Sequence, residues 1–231
     1  LKEYPNANFL TGISSYKFFE KPNSSASRPT SDGFGFYENY NSALMLDVNN
    51  TVSLYHKSEL VLGVERLPLR FITKYIEEMF DLGGISGTLG VEDEAKVFSF
   101  DNVKVAPTIC YESIYGDYTG DFSAKGANII AIMTNDAWWY DTPGYKQLLA
   151  YARLRAIENR KWIARSANTG ISCFISPKGE ITKRTKWEEA TSLKMDVPLI
   201  EGQTFYVKHG DYLGRLAGFI SVLMLLLTFA R

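Results

Sequence analysis

The chain closes on an uncharged run from Leu216 to Ala230, and few places in a folded protein accept such a segment. As a helix its fifteen residues rise only about 22 Å, at roughly 1.5 Å per residue, against a hydrocarbon core of about 30 Å. Tyr212 to Gly214, with Arg215 snorkelling to an interface, bring it near the lower limit of a membrane span. Length alone favours a buried core helix. The run is apolar on every helical face, however, and it is terminal, which a soluble layered domain rarely shows. A transmembrane helix is therefore expected over 212–230, following a domain over 1–205. The other end begins at Leu1 with no initiator Met, signal peptide or apolar stretch, so the sequence reads as a fragment of a longer protein.

At 231 residues the chain can bury a substantial core. A net charge of −1 with mixed signs gives no basic face for nucleic acid. Cys110 and Cys173 are the only cysteines and His56 and His209 the only histidines, which leaves no disulfide framework and no metal set. No cofactor is expected. Cys173, in Ile171 to Ile175, reads as a buried strand residue.

Alternation and punctuation predict strands interleaved with helices, hence an α/β layered domain. Asn8 to Phe19 reads as a strand pair bounded by Gly12, and Glu20 to Asn41, rich in Ser, Asn, Pro and Gly, as a loop or ragged hairpin connection. Ser42 to Asp47 and Thr51 to Tyr55 flank Val48-Asn49-Asn50 as a hairpin that delivers Lys57 beyond its second strand. Phe71 to Phe80 reads as a short helix, and Asp81 to Gly90 as a glycine-rich loop. Lys96 to Phe100 pairs with Lys104 to Ile109 across Asp101-Asn102. Asn128 to Met133 and Trp162 to Ser166 are strands around a helix over Gly144 to Lys161. Ile171 to Ile175 and Glu180 to Arg184 form a hairpin, and Ser192 to Val197 is expected as the last strand.

Within this pattern the run Val103 to Ile109 carries Cys110 to a strand end, where Tyr111-Glu112-Ser113 turn polar. A free cysteine is most often buried packing. A thiol at a strand end is also where a scaffold presents a nucleophile, and a nearby cation such as Lys57 favours its thiolate. Position alone leaves both readings open.

Tyr55 to Leu60 followed by Gly63 to Pro68 resembles the lysine segment of the nitrilase (carbon–nitrogen hydrolase) superfamily, nearest its apolipoprotein N-acyltransferase branch. Pro107 to Glu112 resembles the cysteine segment. Thr134 to Trp139, Arg153 to Arg160, Ser166 to Gly170 and Ser176 to Gly179 follow in the family's order. The resemblance implies an α-β-β-α sandwich, here without its first elements, and a terminal membrane helix. It implies Cys110 as nucleophile, Lys57 as stabiliser of thiolate and oxyanion, and the Tyr111 backbone N–H as a second oxyanion donor. Glu65 matches an accessory acid beside Lys57, with a solvated loop carboxylate as the alternative, and Glu112 matches an acid that hydrogen-bonds the site. The family's general-base Glu aligns upstream of Leu1, so the isolated 231-residue chain is expected to be inactive.

Trp138 and Trp139, with Tyr140, could line an acyl-chain channel or lie at a lipid interface; core packing is the alternative. Arg153, Arg155 and Glu158 read as a helix charge pattern, Arg155 and Glu158 being one turn apart. The implied activity moves a fatty acyl group from a phospholipid to the N-terminal amine of a diacylglyceryl lipoprotein. It implies partners in the inner membrane and a domain facing the periplasm. Soluble amide or nitrile hydrolysis, and an inactive membrane-anchored module, remain the alternatives.

Overall fold

A computed structural model describes residues 4–62, 64–66 and 88–229. The helix expected over Phe71 to Phe80, and most of the glycine-rich loop after it, lie outside those residues. Two sheets organise the rest. In the first, β1 (Phe9–Phe19) and β4 (Val52–His56) pair antiparallel with opposite edges of β3 (Phe36–Leu46), and the two-residue β2 (Arg28–Pro29) joins β3 at its start. The second runs β10-β9-β8-β7-β6-β5, from β5 (Phe98–Phe100), β6 (Val103–Ile109), β7 (Ile129–Thr134), β8 (Ile163–Ala167), β9 (Cys173–Ile175) and β10 (Ile181–Arg184). Its centre, β6-β7-β8, is parallel, so the C-terminal ends of these strands open on one side.

Helices α1 (Gly116–Ala124) and α2 (Pro143–Asn159) make the two crossovers. The α2 helix starts where Thr142 caps Gly144 N and Pro143 supplies a preset φ, and it stops at Arg160, which is left-handed at φ 53°. Its buried face, Leu148, Leu149, Ala152 and Ala156, has helical spacing. Ala43, Met45 and Tyr55 of the first sheet, Ala106, Ile130, Ile132 and Ile163 of the second, and Phe122 of α1 join this face in one core. The fold is thus the α/β arrangement expected, with two facing sheets and helices packed into their core.

Several local expectations change. β1 is one strand of eleven residues rather than two, since Gly12 pairs in register with Ala43. The stretch up to Asn41, read as a loop or ragged hairpin connection, does join the antiparallel pair β1 and β3, but it also contains β2 and the first half of β3. Its polarity is offset internally: the buried Glu38 carboxylate accepts from Ser24 Oγ (2.7 Å), Ser27 Oγ (2.6 Å) and Tyr40 Oη (2.6 Å). Residues 192–197 form no strand; the segment is held to β10 by Lys183 Nζ on the Lys194 carbonyl (2.7 Å). Cys173 is buried in β9, where the sequence places it.

A short helix α3 (Phe205–His209) precedes α4 (Tyr212–Phe229). No residue of α4 is buried, and it is the one helix among the described residues long and apolar enough to cross a membrane. Asp117 at the start of α1 fixes its root, accepting from Asp211 N (3.0 Å) and Arg215 Nη2 (3.1 Å).

Candidate active site

Cys110 follows β6 directly and opens a 3₁₀ turn, Cys110–Ile114. Its φ is +49°, a left-handed conformation costly for a residue with a Cβ, and the turn closes with Ser113 Oγ on the Cys110 carbonyl (2.7 Å). The side chain is half-buried, not sealed in the core. Tyr111 lies in the same turn, its ring edge-on to Tyr115.

Lys57 emerges just past β4, its backbone N–H on the Asn41 carbonyl (2.8 Å). Its side chain is fully buried, and Nζ is held by both Glu65 oxygens, at 2.9 and 2.7 Å. Glu65 is itself only 7% exposed and accepts from Asn41 Nδ2 (3.1 Å) and Val61 N (2.8 Å). A solvated loop carboxylate is excluded by that burial. Asn41 and Val61 thus supply the extra donors that a carboxylate in a buried ion pair requires.

Glu112 joins the two segments. Its carboxylate is fully buried and accepts from Ile109 N (2.7 Å), one residue before Cys110. It also accepts from Ser58 N (2.8 Å), one residue after Lys57, and from Tyr55 Oη (2.5 Å). Tyr118 Oη extends this network to Ser58 Oγ (2.7 Å). Burial pushes the Glu112 carboxyl up to about 7, against the Tyr55 hydroxyl, the two backbone N–H groups and the Lys57 charge, which all pull it down.

A raised folded value means that stability is fullest below the ordinary carboxylate value of 4.5. It declines as pH rises through about 7, because the unfolded chain ionises first. Glu112→Gln should remove that decline and, by setting an amide against a backbone N–H, cost about 1–3 kcal/mol. Thermal unfolding of the full-length protein in detergent between mildly acidic and neutral pH reads both effects. An identical pH slope in the variant would refute the assignment.

Asp136 and the aromatic residues lie beside this site, at the C-terminal end of β7. Buried Asp136 pairs with Arg165 Nη2 (2.8 Å) and accepts from Thr134 Oγ1 (2.8 Å), while its N–H reaches Asn168 Oδ1 (3.0 Å). A Cβ on Gly170 would overlap the Asp136 carboxylate, so that position needs glycine. The pair braces the ends of β7 and β8. Trp138 and Trp139 are 46% and 37% exposed in a 3₁₀ turn, Asp136–Trp139, so core packing does not account for them.

Arg155 and Glu158 do pair one turn apart (3.0 Å), but Arg155 is buried and also donates to the Ile114 carbonyl (2.9 Å), a tie that charge spacing does not reveal. Asn41 likewise joins the site without a signal in the sequence, and Tyr55 and Ser58, inside the lysine segment, join it in contacts that the segment alone does not reveal. Among the described residues no group of three His, Cys, Asp or Glu side chains is placed to hold a metal.

A strained cysteine after a parallel strand, joined through a buried glutamate to a Lys–Glu pair, defines a site of the nitrilase type. Residues 23–204 match the carbon-nitrogen hydrolase family model, and the chain belongs to that family. It is 35% identical over 197 residues to the apolipoprotein N-acyltransferase of Chlorobaculum tepidum, a match covering 82% of this chain and 37% of that one. Apolipoprotein N-acyltransferase 1 of Treponema denticola is 33% identical over 195 residues, covering 80% and 35%. The chain thus spans about a third of the length of these curated relatives. A solved mutant amidase from Nesterenkonia sp. AN1, showing Michael addition of acrylamide at its active-site cysteine, superposes with a TM-score of 0.53 at 15% identity. That match covers 92% of this chain and 68% of the amidase, and it shows the shared fold.

Proposed function

We propose that this chain is the catalytic part of a membrane-bound acyltransferase that moves a fatty acyl group from a phospholipid to the N-terminal amine of an S-diacylglyceryl-cysteine lipoprotein. The observation that carries the reading is the Glu112 junction, which binds the amides next to Cys110 and next to Lys57 with one carboxylate. The similarity to named apolipoprotein N-acyltransferases supports the substrate class, and the exposed apolar α4, rooted on Asp117, supports a bilayer as the place of work.

The Cys110 thiolate attacks the ester carbonyl, and the oxyanion that forms is stabilised by the Lys57 ammonium and the Tyr111 N–H. Collapse expels the lysophospholipid oxygen, which takes back from the general base the proton that the thiol gave up, and leaves an acyl thioester. The lipoprotein amine then attacks, the thiolate departs, and the amine proton passes to a general base. Glu65 already accepts from three donor groups and Glu112 from four, so we assign the base to a carboxylate preceding Leu1. Trp138 and Trp139 are assigned to the acyl chain or the lipid interface. We place the protein in the inner membrane with this domain in the periplasm, residues 1–205 forming the catalytic domain and 212–230 the span.

The test is acyl transfer from phospholipid to a diacylglyceryl peptide by the full-length protein in detergent, beside hydrolysis of short amides and nitriles without lipid. Amide product from the lipidated peptide alone is expected. Turnover of the small substrates with none of the peptide would replace this reading by C–N hydrolysis.

A further inference from the structure

The far end of the Cys110–Ile114 turn is held by groups that play no part in the chemistry above. The Ile114 carbonyl accepts from Arg155 Nη1 (2.9 Å), and Arg155 Nη2 pairs with Glu158 (3.0 Å). The Glu158 backbone carbonyl accepts from Thr204 Oγ1 (2.5 Å), and that same hydroxyl caps α3 through Val207 N (3.1 Å). Tyr206, in α3, closes over the same point. A Cβ on Gly116, two residues beyond the turn, would overlap the Tyr206 hydroxyl and stand 2.7 Å from Arg155 Nη1. One residue further on, Asp117 holds the root of α4. The nucleophile's turn is therefore fastened at one end to a strand and at the other to the segment that carries the apolar helix.

We propose that Arg155 is a positioning residue for Cys110, held by Glu158, which Thr204 in turn fastens to the segment leading into α4, so that the reactivity of the thiol depends on how the apolar helix is attached. A carbonyl at the end of a one-turn helix has no partner within that turn, and the guanidinium supplies one. Without it the turn is free to relax the left-handed φ at Cys110, which changes where the thiol stands. The inference rests on the reading of Cys110 as a nucleophile activated by Lys57. It adds that the membrane segment is part of the nucleophile's support as well as an anchor.

The experiment measures the pH dependence of Cys110 alkylation by iodoacetamide in the full-length protein in detergent, with Cys110→Ala as the blank. Alkylation follows the thiolate fraction, so a reaction followed below the midpoint slows about tenfold for each unit by which the midpoint rises. Arg155→Met is expected to raise the midpoint of the alkylation profile and to slow alkylation below it. Arg155→Lys should recover part of the loss, since an ammonium reaches the Ile114 carbonyl without also spanning to Glu158. Gly116→Ala should behave like Arg155→Met with the arginine still present, and it serves where the methionine variant fails to fold. A wild-type midpoint in Arg155→Met, or in Gly116→Ala if the former is unfolded, overturns the proposal. An unshifted midpoint in Lys57→Met would sink the Cys110–Lys57 reading and this inference with it.

Discussion

Supplied with phospholipid and no acceptor, the full-length protein should gain the mass of one fatty acyl chain on Cys110. Hydroxylamine should remove that adduct, because a thioester is far more labile to it than an amide or ester. The expectation follows from geometry: the thiol is half-buried rather than sealed, and it stands where β6 gives way to a 3₁₀ turn at a left-handed φ. Cys110→Ala should abolish the adduct and lower transfer on the order of 10⁴-fold or more, the scale on which covalent enzymes lose rate with their nucleophile. Intact-mass analysis reads the first result and the peptide assay the second. An adduct on Cys173, or none at all with transfer intact, would remove the thioester from the mechanism.

Lys57→Met should lower transfer by about 10²–10³-fold, as loss of one oxyanion donor does elsewhere. Its stability cost needs separating from that effect. The substitution leaves Glu65 buried with only Asn41 and Val61 as donors, and breaking a buried ion pair from one side costs about 3–5 kcal/mol. Lys57→Met combined with Glu65→Gln should restore much of the unfolding midpoint and none of the rate. Lys57→Arg should also fail to restore rate, because a planar fork does not replace a compact charge in a fully buried slot. Wild-type turnover in Lys57→Met would take this residue out of the site.

How far these expectations could be read from sequence depended on whether local residues or distant ones set the structure. The Val103 to Ile109 run announced β6, and the polar residues after it marked the point where Cys110 leaves the sheet. The hairpin that delivers Lys57 was equally legible, since Asn50 takes the left-handed φ that its turn requires. The first half of β3 was not, because Glu38, Asn39 and Asn41 look like loop until Ser24, Ser27 and Tyr40 are seen satisfying Glu38. Helix α1 was missed for a related reason. Two glycines, Thr119 and Ser123 give it little intrinsic preference, and it persists through the burial of Phe122 and Thr119. Residues 192–197 alternate like a strand, yet side-chain contacts to β10 take the place of a ladder. At the site, Cys110 and Lys57 were legible as residue types in context. Asn41 on Glu65, and Arg155 on Ile114, arise from contacts between residues far apart in the chain, which periodicity does not register.

The two cysteines differ enough to serve as separate reporters. Cys173 is sealed in β9, and burial pushes its thiol up to about 11, so a reagent that needs an accessible thiolate passes it by while the sheet is intact. Cys110 is open to the same reagent. Fast labelling in the native protein then counts accessible Cys110 thiols, and the slow appearance of a second label times the opening of the sheet. The unaltered chain thus carries a reporter at the proposed site and its own unfolding clock.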